Sequence, residues 1–153
     1  MKLSVKSQYA LESLTALALS TGGGRIPVSV RDIARERGIP ERFLSQILST
    51  LRKAGLLSSI RGAQGGYVLA KSPDDIRAGD VVRAVEGRLV PVDCVESGGP
   101  ATGISPRCSR TACCETRGLW QSVADRINGT LDGVTLADLA RCTSLPITGE
   151  VVS

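Results

Sequence analysis

"SVRDIARERGIPERFLSQILSTLRKAGLLSSIRGAQGGYVLA", residues Ser29–Ala70, decides the fold. Ser29 precedes Asp32 by three positions, ahead of Ile33 and Ala34, which is the spacing of a capping box at a helix start. Gly38 is placed to end that helix. After Ile39 and Pro40, a second helix sets Phe43, Leu44, Ile47, Leu48 and Leu51 on one face, with Gly55 as its stop. "LLSSIR" and "YVLA" read as two short strands around the turn "GAQGG". Two short helices across a Gly-containing turn, followed by a β-hairpin, predict a winged helix-turn-helix.

In that architecture the second helix buries its apolar face and offers the other to DNA. The outward face carries Arg42, Ser45, Gln46, Ser49, Arg52 and Lys53. These side chains can reach base edges or phosphates in a major groove. Ser45 and Gln46, near the helix start, are the leading candidates for base contacts. Ser29 and Arg31 open the preceding helix, and Arg61 and Gln64 sit on the hairpin turn, where an arginine can enter a minor groove or rest on phosphate.

Outward from this stretch, Ser7–Ser20 sets Ala10, Leu11, Leu14, Leu17 and Ala18 along one stripe, and three glycines in "TGGGR" end that helix. "DDIRAGDVVRAVEG" predicts a connector helix with Val81, Val82 and Val85 inward. "ETRGLWQSVADRINGTLDG" predicts a long amphipathic helix with Leu119, Trp120, Val123, Ile127 and Leu131 along one side. A chain of 153 residues leaves little surface of its own to cover that stripe, so a twin helix from a second copy is expected to cover part of it. Two copies would set two recognition helices about one DNA turn apart, or a multiple of it. "TLADLA" reads as a short closing helix capped by Thr135 and Asp138.

Charge follows the same division. Residues 1–88 carry 14 Lys/Arg against 8 Asp/Glu, a balance of +6, and residues 89–153 carry 5 against 7, a balance of −2. A basic front half suits a polyanionic partner. No apolar run reaches the roughly 20 residues of a membrane span. The opening residues place their apolar side chains like a helix face, with Glu12 among them, so they read as part of a mature, cytoplasmic protein with no membrane partner. There is no histidine, no nucleotide-binding loop and no CxxC pair, and the chain is not expected to be an enzyme.

Four of the five cysteines, Cys94, Cys108, Cys113 and Cys114, fall within 21 residues, and the fifth is Cys142. The spacing is not that of a zinc finger. In a reducing compartment such a cluster points to metal or redox chemistry rather than structural disulfides. Thiolates are soft ligands suited to iron–sulfur clusters. Sensor thiols without metal are the alternative, and Arg107, Arg110 and Arg117 supply the cations that activate such thiols. Cys142 reads as a small apolar thiol in the closing helix.

"SIRGAQGGYVLAKSPDDIRAGDVVRAVEG", "MKLSVKSQYAL", "ERFLSQILSTLRKAGLL" and "LWQSVADRINGTLDGVTLADLA" together resemble the Rrf-two family of bacterial transcription regulators, over about residues 1–142. The resemblance implies a mainly α protein with a small β-hairpin: a winged helix-turn-helix with connector helix (residues 1–86), a cysteine-rich loop (87–114), a dimerisation helix and closing helix (115–142) and a loose tail (143–153). It implies a homodimer on partly palindromic double-stranded promoter DNA. In cluster-binding members three cysteines occupy the loop, the last six positions before a Trp. Counted back from Trp120 this gives Cys114, with Cys108 and Cys94 as the other two and Cys113 as an alternative or fourth ligand to a two-iron or four-iron cluster. One branch has His three positions before the Trp, where this chain has Arg117. Another uses an Asp of the amino-terminal helix, where this chain has Gln8. The remaining fourth donors are Cys113, Glu115, Asp93, Glu96, an external thiol or water. A cofactor-free or thiol/disulfide-switched regulator stays open beside this, as does a thiol-based electron-transfer protein.

Overall fold

The computed structural model describes residues 3–20, 22–96 and 114–141. Cys108, Cys113 and Cys142, Arg107 and Arg110, and the tail 143–153 lie outside them. The elements run α1 (Val5–Leu19), α2 (Val30–Arg37), α3 (Glu41–Lys53), β1 (Leu57–Ile60), β2 (Gly66–Leu69), α4 (Ala78–Glu86), α5 (Asp93–Glu96), α6 (Arg117–Asp132) and α7 (Leu136–Ala140).

The core is aliphatic and belongs mostly to the first half. Leu14 and Leu17 of α1, Ile33 of α2, Leu44, Leu48 and Leu51 of α3, and Val81 of α4 are all fully buried. Leu11, Ala18, Phe43 and Val85 pack against this cluster but keep part of their surface exposed. Ser29 caps α2 by accepting from the Asp32 amide at 3.1 Å, while its hydroxyl donates to the Asp32 carboxylate at 2.7 Å. The expected capping box is therefore half formed, because that carboxylate takes a hydroxyl rather than the Ser29 amide. Gly38 ends α2 in the left-handed conformation, at φ 65°.

The wing is a two-stranded antiparallel hairpin, with Leu57 opposite Leu69 and Ile60 opposite Gly66. A single residue extends it: Val28 and Tyr67 exchange backbone hydrogen bonds of 3.1 and 2.9 Å. Gly66 makes this approach possible, since a Cβ there would collide with the Val28 carbonyl. The hairpin is thus fastened to the residue that precedes the α2 cap.

The second half returns to the first. Ala78 donates to the Val134 carbonyl and Leu136 to the Ile76 carbonyl, both at 2.9 Å, and Leu136 is fully buried in the same core as α1. Thr135 and Asp138 cap α7 reciprocally, as the sequence predicts, and hydrogen bonds from Thr135 hold the Asp138 carboxyl below the usual range. Between α4 and α6, Arg83 donates to Asp132 at 2.6 Å and to Asp80 at 3.1 Å. A Cβ on Gly79 would collide with the Asp132 carboxylate, so the glycine leaves room for that carboxylate beside Arg83. No helix among the described residues is long and apolar enough to cross a membrane.

Candidate nucleic-acid interface and cysteine segment

The local rules that fold α3 also aim its functional groups. Burying Leu44, Ile47, Leu48 and Leu51 turns Arg42, Gln46, Arg52 and Lys53 to solvent. The expected reading groups are not equal in this setting. Ser45 is half-buried and its hydroxyl donates to the Glu41 carbonyl at 2.9 Å, so part of its capacity is spent within the helix. Ser49 is also half-buried. Gln46 is exposed and keeps its whole amide for a base edge. Arg52 reaches across to the Ser59 hydroxyl of β1 at 3.3 Å, joining the helix end to the wing. Arg61 and Gln64 are exposed on the hairpin turn, and Arg31 is exposed at the start of α2. The Ser29 hydroxyl is occupied at the α2 cap, which leaves it to orient that helix end rather than to search for a partner.

Two features of this face carry no clear mark in the sequence. Pro40, Arg42, Phe43 and Gln46 surround an open depression at the start of α3. Thr50 is exposed on the same helix, with its hydroxyl donating to the Gln46 carbonyl at 3.0 Å. A signal for the first was available: Phe43 stands about 100° round the helix from Leu44, at the edge of the apolar stripe rather than its centre.

The cysteine segment is described only at its ends. The stretch expected to be loop contains the four-residue helix α5, and Cys94 lies on it, half-buried. Cys114 is also half-buried, three positions before α6, with its sulfur 3.4 Å from the Thr116 hydroxyl. α5 packs against α6, and Val95 and Ala124 are buried there, so both ends of the segment lie on one body. Among the described residues no three of His, Cys, Asp and Glu gather as a metal site. Cys94 and Cys114 supply two thiols, Cys108 and Cys113 lie outside the described residues, and the candidates Asp93 and Glu115 do not complete a set with them.

α6 has little of its surface covered in the single chain. Ala124 is its one buried residue, Leu119 is 60% exposed and Trp120 36% exposed, and Val123, Ile127 and Leu131 are half-buried. At the end of α4, Glu86 accepts from the Ser4 amide at 3.1 Å and from the hydroxyls of Ser4 and Ser7. These bonds, the Ser4 hydroxyl's first, hold the Glu86 carboxyl below its ordinary range.

A helix-turn-helix with a fastened wing and a cationic, amide-bearing outer face defines a winged-helix DNA-binding protein. Residues 3–142 match the Rrf2 family model, described as "Iron-dependent Transcriptional regulator". The chain belongs to the Rrf2 family of transcriptional regulators and is not an enzyme. It is 41% identical over 143 residues to the HTH-type transcriptional regulator CymR of Bacillus subtilis, covering 94% of this chain and 92% of that protein. It is 36% identical over 139 residues to the regulator IscR of Escherichia coli, covering 91% and 80%. Its fold superposes on the structure of CymR, the global cysteine regulator of B. subtilis, with a TM-score of 0.72 and 38% identity over 94% of this chain and 99% of that one.

Proposed function

We propose that two copies of this chain bind partly palindromic promoter DNA in the bacterial cytoplasm, and that the segment carrying Cys94, Cys108 and Cys114 adjusts that binding to iron–sulfur or redox status. The observation that carries the reading is the α3 face, where Gln46 and Arg42 stand free of the core beside a wing tied down through Val28 and Tyr67. Leu119 and Trp120, uncovered on α6, supply the surface for a second copy.

The thiolates of Cys94, Cys108 and Cys114, with Cys113 as alternative or fourth donor, would hold a two-iron or four-iron cluster. The described residues do not by themselves form such a site, so the support is the all-thiol donor set and the likeness to IscR. A bound cluster supplies a group that oxidants and iron loss can remove. The chain's own contribution is mechanical. The segment begins just after α4, which Glu86 ties to α1 and Arg83 ties to α6. A change in the path of the segment therefore acts on both helices.

Anaerobic reconstitution with iron and sulfide tests the cluster. The expected result is a coloured dimer whose colour is lost in Cys108→Ala and in Cys114→Ala and kept in Cys142→Ala. Equal damage from Cys142→Ala overturns the ligand assignment. The second reading is a thiol switch without metal, and the support is the likeness to CymR, described as a global cysteine regulator. It predicts that iron-free protein changes its DNA affinity between reductant and oxidant, and that Cys94→Ser, Cys108→Ser or Cys114→Ser removes the change.

A further inference from the structure

We infer that the exposed edge of Phe43 and the ring of Pro40 form a thymine-methyl reader at the start of α3, beside Gln46. The inference deepens the reading of α3 as the recognition helix and rests on it.

Pro40, the residue before α3, is exposed, and Phe43 is half-buried one turn on. With Arg42 and Gln46 they enclose an open depression of about 440 Å³ whose exposed lining is almost wholly carbon. An apolar hollow in the middle of a polar face is unusual for a surface built to meet DNA. The major groove offers one apolar group at its base edges, the C5-methyl of thymine. Phe43 is held in place to meet it, because its ring stands edge-to-face on Tyr9, with centroids 5.8 Å apart and planes at 78°. Gln46 borders the same hollow, and a glutamine amide matches the N6 and N7 atoms of adenine. In an A·T pair the thymine methyl lies beyond the thymine O4 from those atoms, and in adjacent pairs a methyl stands next to them along the groove. The hollow and the amide together fit an A·T-containing step.

The experiment uses the full chain and double-stranded sites selected in vitro from random DNA. Each thymine is replaced singly by deoxyuridine, which removes the methyl alone, and binding is titrated at fixed salt. One thymine in each half-site, within one base pair of the position where Gln46→Ala relaxes base preference, is expected to lose about fourfold in affinity, the worth of one buried carbon group. Phe43→Ala removes this penalty, with its melting transition measured alongside because the ring also packs on Tyr9. Pro40→Ser, at an exposed position, cuts the penalty to about twofold, and decides the matter if Phe43→Ala does not fold. Equal binding of thymine and deoxyuridine at every position, with Gln46→Ala still relaxing preference, overturns the methyl reader and leaves base reading by α3 standing. A penalty that survives in both variants overturns it as well. Sites whose preferences ignore Gln46→Ala and Arg42→Ala alike overturn base reading by α3, and the methyl reader with it.

Discussion

The α2–α3–wing unit and the cysteine segment, to which the proposed reading and sensing tasks fall, stand on different physical footings. In the first, the candidate reading groups of α3 ride on a backbone fixed by buried neighbours, as Gln46 lies next to Ile47, and Arg61 follows a strand paired to β2. In the second, the described thiols stand half-buried at the rims of α5 and α6, and no third donor joins them among the described residues. A single copy of the chain therefore holds every residue of the proposed α3 and wing reading face. The proposed sensing site would need residues beyond these two thiols, whether Cys108, Cys113, a cofactor or a second copy. Reading is geometry stored in packing, while sensing is chemistry waiting for a ligand or an oxidant.

The largest expected effect breaks the comparison if it fails. Leu48→Ala empties a fully buried position in α3 and is expected to cost about 3 kcal/mol of folding stability. Cys94→Ser and Cys114→Ser, at half-buried positions, are expected to cost under about 1 kcal/mol each. Urea unfolding of the three variants checks the contrast. Comparable losses would show that the cysteine segment is as much a part of the framework as α3.

Next in size are changes on the reading face, which are expected to leave folding alone. Gln46→Ala should cost about 1–3 kcal/mol of discrimination at one base pair per half-site, with little change on nonspecific DNA. Arg61→Ala should weaken binding to all sequences and lower the slope of log affinity against log salt by about 1 per copy. Titrations on selected and scrambled sites at several salt concentrations separate the two. A Gln46→Ala loss that is equal on both sites would make this residue a phosphate contact instead.

The same division explains what could be read from the sequence. Helices α1 to α4, α6 and α7 and the hairpin are legible because each announces itself over a few residues: a 3.6-residue stripe, a cap such as Thr135 with Asp138, or a glycine stop such as Gly38. The outward residues of α3 follow in part: Arg42, Gln46, Arg52 and Lys53 lie off its stripe and are exposed, while Ser45 and Ser49, also off the stripe, are half-buried. Helix α5 is not legible, because four residues show no period. Nor is the Val28–Tyr67 bridge, a single pair of residues from separate segments, although Gly66 is its trace. "TLADLA" reads as a short closing helix, but its sequence does not say that Leu136 enters the core beside α1, an outcome decided by packing across more than a hundred residues. For the cysteines, spacing gives the chemistry of the donors, while their convergence is a property of three-dimensional paths that spacing does not encode.

The smallest expected effect falls where the two regions meet. Glu86 and its serine partners are about 80 residues apart in sequence, and no periodic pattern announces the contact. Because the serines hold the Glu86 carboxyl below its ordinary range, the bond favours the folded state only while that carboxyl is ionised. The contribution is fully present above the unfolded-state value of about 4.3 and is lost as pH falls through the lower folded value. Glu86→Gln keeps the shape but replaces charged acceptors with a neutral amide, at an expected cost of about 1 kcal/mol near neutrality. The difference between wild type and variant should shrink as pH drops below about 4. Unfolding curves across that range measure it. If α4 passes the state of the cysteine segment to α1, Glu86→Gln should also narrow the difference in DNA affinity between the two redox states, while leaving the tighter state's base preferences unchanged. A variant that loses stability but keeps the full redox difference would confine Glu86 to holding the fold, and the coupling would then have to run through Arg83 and α6.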